Sequence, residues 1–204
     1  MRINWSVSLV WLLLCVPLVQ AQQTRGYSAG SVVADFRLRN VDDRTLSLAD
    51  YKAQKGVVVI FTCNHCPFSK AYEDRILALD RKFGPLGYPV LAIMPNDPTA
   101  YSDDSFENMK SRARDKAYSF PYAIDETQAV ARAFGASRTP QVYVLKKEAG
   151  DRFVLEYTGA IDDNPQDAVG VQKRYVDDVV TALLAGRPAV PTNTKAIGCG
   201  IKWK

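Results

Sequence analysis

Four consecutive residues, Cys63-Asn64-His65-Cys66, have the types and spacing of a thiol redox site. The nucleophile in disulfide exchange is a thiolate, which is stabilised by the free N–H groups and partial positive charge at a helix N-terminus. The two cysteines follow an apolar run and precede a helical pattern, so Cys63 is expected at such a position. A protonated His65 would add a positive charge beside it. We therefore expect a reversible Cys63–Cys66 disulfide, with Cys63 the more accessible sulfur and His65 lowering its pKa.

A third cysteine, Cys199, lies in a C-terminal tail that contains the apolar residues Ile197, Ile201 and Trp203. Exposure of these side chains would be costly, and the glycines beside Cys199 let the backbone bend around it. We expect the tail to fold back, with Trp203 packed near the helix that follows Cys66. Cys199 is then either a resolving cysteine or a structural one.

The single histidine of the chain, His65, excludes Ser/His/Asp catalysis and multi-histidine metal sites elsewhere. A metal site built from Cys63, His65, Cys66 and Cys199 remains a competing possibility, because thiolates and imidazole suit zinc or cuprous copper. We rank it below the redox site, since the histidine lies between two cysteines rather than on a separate ligand arm, and we expect no metal and no cofactor.

Composition narrows the class of protein further. The net charge of the 204 residues is +4, and the basic residues are scattered among acidic ones, which argues against nucleic-acid binding. Residues 1–21 contain Arg2, an apolar run and a small-residue ending at Ala21, the pattern of a cleaved signal peptide. We expect export, no stable membrane anchor after cleavage, and, because few cysteines remain to staple the fold, a bacterial periplasmic location.

The hydrophobic pattern predicts a single α/β domain over residues 36–186, after a lead-in (22–35) and before the tail (187–204). An N-terminal hairpin opens it, and a mainly parallel central sheet with helices on both faces follows. The predicted strands beyond the hairpin are 57–61, 90–94, 122–124, 141–145 and 153–157, and the predicted helices are 67–83, 103–116, 127–134 and 171–184. In such sheets the site lies at the C-terminal ends of strands, where Cys63 and Cys66 fall.

Two other features bear on the site. Thr139-Pro140 stands at the entry to a predicted strand, where an X-Pro bond is a candidate cis peptide. The acidic pairs Asp103-Asp104 and Asp162-Asp163 have the composition of solvated turns, and we expect them on the surface.

Four segments, FTCNHCPF, SRTPQVYVL, YTGAIDDNPQD and AIGCGIKWK, together resemble the thioredoxin-fold group of peroxiredoxin-like proteins and thiol-disulfide oxidoreductases. The resemblance implies a thioredoxin-like fold and a redox-active cysteine pair. It also implies that Thr139 and Pro140 face the cysteines and seat the substrate chain. The implied partners are protein or small-molecule thiols and disulfides.

The sequence departs from true peroxiredoxins at the peroxide-orienting positions. Those enzymes have Pro and Thr seven and three residues before the reactive cysteine, whereas Cys66 has Val59 and Cys63 there. Cys63 has Gly56 and Ile60 at the same positions. The sequence therefore predicts an exported thiol-disulfide oxidoreductase, with a thiol-dependent peroxidase as the first alternative and a Cys/His metal-binding protein as the second.

Overall fold

The structure is a computed structural model that describes residues 26–204. The signal peptide predicted for residues 1–21 lies outside the described residues. Among residues 26–204, no helix is both long enough and apolar enough to cross a membrane.

The described residues contain four α-helices and ten strands. The helices are α1 (Pro67–Phe83), α2 (Phe106–Asp115), α3 (Ala129–Phe134) and α4 (Tyr175–Leu184). The strands are β1 (Val32–Val33), β2 (Arg37–Asn40), β3 (Thr45–Ser47), β4 (Gly56–Phe61), β5 (Val90–Met94), β6 (Tyr122–Ile124), β7 (Arg138–Thr139), β8 (Gln141–Lys147), β9 (Phe153–Gly159) and β10 (Cys199–Gly200).

Eight strands form one sheet in the order β1-β9-β8-β4-β5-β6-β2-β3, and β10 pairs separately with β7. The sheet is more mixed than the sequence predicts. The three adjacent strands β4, β5 and β6 run parallel to one another. On either side of them the pairing is antiparallel, because β8 pairs antiparallel with β4 and β2 pairs antiparallel with β6. The two hairpins, β2-β3 and β8-β9, lie on either side of this parallel centre and introduce the antiparallel pairs.

The central strand β4 is buried along its whole length, and its side chains alternate between two apolar layers. Val58 and Ile60 pack in the layer that also holds the buried residues of α1 and α4. Val57, Val59 and Phe61 pack in the opposite layer with α3. Coverage of both faces fits the continuous run of β-branched and aromatic residues in this strand.

Helix α1 has the predicted bounds, because Pro67 takes its first position and Gly84 follows its last. The other three helices begin later than predicted, and α3 starts at Ala129 rather than at residue 127. Helix α2 starts at Phe106, since the Ser105 side chain accepts a hydrogen bond from the Asn108 N–H, and residues 102–104 form a separate 3-10 turn. Helix α4 starts at Tyr175 rather than at residue 171.

The C-terminal tail lies against the body of the protein. The Ile201 N–H donates to the Ser137 carbonyl (3.1 Å), and the Ile201 side chain is buried in the layer that contains α3. The placement predicted for Trp203 is wrong: its ring stacks under the guanidinium of Arg132 in α3 (4.4 Å), not near α1. The Lys204 N–H donates to the Gln128 side chain beside the start of α3, and this bond directs the chain end to that helix.

Candidate active site

Cys63 and Cys66 lie at the junction between β4 and α1, as predicted. The strand ends at Phe61, and Cys66 is the residue that caps the N-terminus of α1. Both side chains are buried, with 4% of Cys63 and none of Cys66 exposed. The end of β4 and the start of α1 therefore place the cysteine pair at a helix N-terminus, whose dipole favours a thiolate, while burial of the sulfurs opposes ionisation.

The disulfide in this structure joins Cys66 to Cys199, with 6.0 Å between their Cα atoms. Cys63 is a free thiol. This differs from the predicted Cys63–Cys66 disulfide. The reason lies in the tail, because β10 pairs antiparallel with β7 and sets Cys199 opposite Thr139, next to Cys66.

Thr139 contacts or pairs with all three cysteines of the described chain. Its hydroxyl is hydrogen-bonded to the Cys63 sulfur (3.1 Å), and its carbonyl oxygen lies 3.2 Å from the Cys66 sulfur. Thr139 has no exposed surface, and its peptide bond to Pro140 is cis, in line with the sequence prediction. Thr139 thus touches both cysteines of the motif, and its strand pairs with β10, which carries the third cysteine.

Asp104 holds the loop between the two cysteines. One carboxylate oxygen accepts hydrogen bonds from the backbone N–H groups of Asn64 (2.8 Å) and His65 (3.1 Å). The other accepts from the His65 ring (2.6 Å) and from the Asn96 amide (2.8 Å). The predicted surface position of Asp104 is wrong, since it has no exposed surface. These four donors compensate the cost of burying its charge.

The His65 ring is fixed on two sides. Its Nδ1–H donates to Asp104, and its face stacks on Tyr101 with 4.0 Å between ring centroids. The predicted lowering of the Cys63 pKa does not appear in this state. Burial raises the pKa of the Cys63 thiol and the negative charge of Asp104 adds to the rise, although hydrogen bonds from Thr139, the Cys66 backbone and Ser69 oppose it.

The four-ligand metal site considered from the sequence does not fit this state. Cys66 and Cys199 are joined to each other, so neither offers a thiolate. The ligand atoms of Cys63, His65 and Asp104 lie within 4.8 Å of one another. His65 and Asp104 are hydrogen-bonded together, however, and Cys63 is bonded to Thr139. Each of the three side chains therefore has a hydrogen-bond partner within the protein.

The second acidic pair also contains a buried member. Asp162 accepts hydrogen bonds from the Tyr72 hydroxyl (2.8 Å) and the Arg75 guanidinium (2.7 Å), both on α1. The surface prediction is wrong for Asp162, which is 5% exposed, and right for Asp163. Asp162 thus ties the chain after β9 to the helix that Cys66 caps.

Comparison with known proteins identifies the family. The family model for AhpC/TSA matches residues 29–159, well over half of the chain. The chain belongs to the AhpC/TSA family. It is 25% identical over 142 residues to the thiol-disulfide oxidoreductase ResA of Geobacillus thermodenitrificans, a match covering 68% of this chain and 75% of that protein. Family and relative together make this AhpC/TSA protein an oxidoreductase, as predicted.

Solved structures agree with the thioredoxin-like fold. A crystal structure of an uncharacterized conserved protein from Geobacillus kaustophilus superposes with a TM-score of 0.79 at 38% identity, covering 86% of this chain and 92% of that one. The peroxidoxin BcpB of Mycobacterium tuberculosis superposes with a TM-score of 0.57 at 17% identity, covering 78% and 97%. At that identity the second likeness shows the fold alone.

The structure brings together all but one of the site residues expected from the sequence. One cluster contains Cys63, His65, Cys66, Thr139, Cys199 and the cis Pro140. Trp203 lies apart from this cluster and packs against Arg132 of α3. Three residues of the site were not predicted from the sequence: Asp104, Asn96 and Tyr101. The acidic pair before a helix start was the one signal available for Asp104, and it equally describes a solvated turn.

Proposed function

We propose that this protein is an exported thiol-disulfide oxidoreductase that uses Cys63 and Cys66 to exchange disulfides with protein or small-molecule thiols. The observation that carries the proposal is the grouping of both cysteines around Thr139 at the start of α1. A thiol at that position has a donor for its anionic form, and a second thiol is close enough to resolve a mixed disulfide.

The roles follow from the contacts. Cys63 is the nucleophile, because Cys66 has no exposed surface and Cys63 retains a little. Thr139 hydrogen-bonds the Cys63 sulfur. The family resemblance assigns Thr139 and Pro140 to seating the substrate chain beside it. Asp104 and His65 act as positioning residues that hold the loop between the cysteines.

Peroxidase activity has weaker support. Both activities need a reactive thiolate, but a peroxidase also needs a group that orients the peroxide beside it. Neither cysteine has a threonine three residues before it. We expect the reduced protein to react with a disulfide peptide faster than with hydrogen peroxide at equal concentration, as followed by stopped-flow fluorescence. A faster reaction with peroxide would reverse this ranking.

Trapping the mixed disulfide tests the proposed nucleophile. In a Cys66→Ser, Cys199→Ser double variant, the disulfide peptide is expected to remain attached to Cys63, and peptide mapping by mass spectrometry locates it. The matched Cys63→Ser, Cys199→Ser variant retains Cys66 and should form little adduct. Adduct formation on Cys66 at a rate equal to that on Cys63 would contradict the assignment.

Export to a bacterial periplasm rests on the predicted leader at residues 1–21. An oxidising compartment suits a protein whose cysteines exchange disulfides. Its partners there would be proteins or small molecules that carry thiols or disulfides.

A further inference from the structure

Three cysteine sulfurs share one small region of this protein, although one cysteine is more than a hundred residues from the others. Cys63 and Cys66 both contact Thr139, and Cys199 is the strand partner of Thr139. The approach of the tail is close, because a Cβ atom on Gly198 would lie 2.2 Å from the Thr139 carbonyl oxygen. Cys66 is therefore placed between two alternative disulfide partners.

The three sulfur-bearing residues differ in access to solvent. Cys66 has no exposed surface and Cys63 has 4%, whereas Cys199 is half-buried and the next residue, Gly200, is exposed. Disulfide exchange depends on which sulfur an incoming thiolate can reach. In the Cys66–Cys199 bond, the sulfur that an incoming thiolate can reach is that of Cys199. The leaving sulfur is then that of Cys66, which lies at the N-terminus of α1, where the helix dipole favours a thiolate.

We propose that Cys66 passes its disulfide bond from Cys63 to Cys199, and that Cys199 is the sulfur at which an external dithiol reduces the protein. The proposal rests on the proposed function and adds a third redox residue to it. It also names the class of reductant, a dithiol that approaches the tail rather than the buried pair.

Written in the reducing direction, each step balances. The Cys63 thiolate attacks a substrate disulfide, forms a mixed disulfide and releases one substrate thiolate. The Cys66 thiolate then attacks the Cys63 sulfur, forms Cys63–Cys66 and releases the second substrate thiolate. The Cys199 thiolate attacks the Cys66 sulfur, forms Cys66–Cys199 and releases Cys63, which takes up a proton.

The dithiol completes the cycle. One of its thiolates attacks the Cys199 sulfur and releases the Cys66 thiolate, and its second thiolate attacks the resulting mixed disulfide and releases Cys199. The dithiol leaves as a disulfide, so the substrate has gained the two electrons that the dithiol lost. The oxidising direction consists of the same steps in reverse.

Contacts other than the sulfur bridge keep Cys199 near Cys66. The Lys202 N–H donates to the Asn96 side chain (2.9 Å), and the Lys202 carbonyl accepts from Asp97 (2.8 Å) and from Gln128 (2.7 Å). None of these bonds requires the disulfide. A reduced tail therefore keeps its cysteine at high effective concentration beside Cys66, which favours transfer over attack by a thiol in solution.

Time-resolved disulfide mapping tests the transfer. A Cys15→Ser background removes the fourth cysteine. The reduced protein is mixed with one equivalent of a disulfide peptide, quenched with an alkylating reagent and mapped by mass spectrometry. We expect Cys63–Cys66 to form first and to decay as Cys66–Cys199 rises. Persistence of Cys63–Cys66 as the final product would overturn the proposal.

A separate experiment tests which sulfur an external thiol attacks first. Sub-stoichiometric glutathione is added to the protein in its Cys66–Cys199 disulfide form. The first glutathione adduct is expected on Cys199, and an adduct appearing first on Cys63 or Cys66 would contradict the proposed order of attack.

A variant pair then separates the relay from the underlying activity. In Cys199→Ser, the first reaction with the disulfide peptide should stay within about twofold of the wild-type rate, while turnover with dithiothreitol falls at least about tenfold. Ile197→Ser, an exposed change in the same tail, should alter neither rate. Wild-type turnover in Cys199→Ser would refute the relay and leave the proposed function standing. Failure of the wild-type protein to react with the peptide at all would refute both.

Discussion

The Cys66–Cys199 disulfide has a consequence for stability that its alternative, Cys63–Cys66, does not share. Its two cysteines are 133 residues apart, and closing so long a loop in the unfolded chain stabilises the folded state by about 5 kcal/mol in the chain-entropy estimate. The four-residue loop of a Cys63–Cys66 disulfide gives about 2 kcal/mol in the same estimate. The difference of about 3 kcal/mol is large enough to measure by denaturation.

The measurement uses Cys63→Ser, which retains Cys66–Cys199, and Cys199→Ser, which retains only the close pair. For each variant in a Cys15→Ser background, urea unfolding is followed by circular dichroism before and after reduction. Subtracting the reduced value from the oxidised one cancels the packing cost of each serine. We expect a gain on oxidation of about 5 kcal/mol for Cys63→Ser and about 2 kcal/mol for Cys199→Ser.

Equal gains in the two variants would refute the reasoning, because they would mean that Cys66–Cys199 does not restrain the chain in solution. Loss of the gain in Cys63→Ser would do so more directly, since that variant keeps both cysteines of the observed disulfide.

Three further predictions follow from the site. In the Cys66–Cys199 form, Asp104→Asn should lower the pKa of Cys63 because it removes a negative charge. His65→Ala should raise the pKa of Cys63, because the Asp104 carboxylate loses the hydrogen bond that the imidazole donates. Ultraviolet thiolate absorbance against pH measures both shifts, and shifts of the same sign would contradict the account. Gly198→Ala should slow formation of Cys66–Cys199, since its Cβ meets the backbone of Thr139 at 2.2 Å, whereas Gly200→Ala meets nothing within 4 Å and serves as the control; equal bridging rates in timed alkylation would count against the docked tail. The full chain produced in a bacterium should reach the periplasm as a protein that begins at Gln22, and mass spectrometry that finds residues 1–21 still attached there would contradict the leader prediction.

The regular elements near the site could be predicted from local sequence because local interactions determine them. Strand β4 is a run of apolar residues buried on both faces, and α1 begins at Pro67 and ends before Gly84. The two-residue strands β1, β7 and β10 have no such signal. Each exists because a distant partner supplies its hydrogen bonds, and a pattern two residues long cannot indicate that partner.

The pairing of the cysteines was beyond local reasoning for the same reason. A CxxC spacing indicates chemistry between neighbours, while Cys199 reaches Cys66 only because β10 lies beside β7. Asp104 presents the same difficulty, since the backbone donors that make it a buried carboxylate are about forty positions earlier in the chain.

The Asn96 side chain connects the C-terminal tail to Asp104, and its hydrogen bonds show how far the site depends on the tail. Its side-chain oxygen accepts from the backbone of Lys202 in the tail, while its amide donates to Asp104. If the tail leaves, the oxygen loses a partner, but Asp104 keeps all four of its donors, and three of those belong to the cysteine loop itself. The loop that positions Cys63 therefore keeps its hydrogen bonds whether or not the tail is docked. The tail thus adds its cysteine to a site whose loop already has its shape.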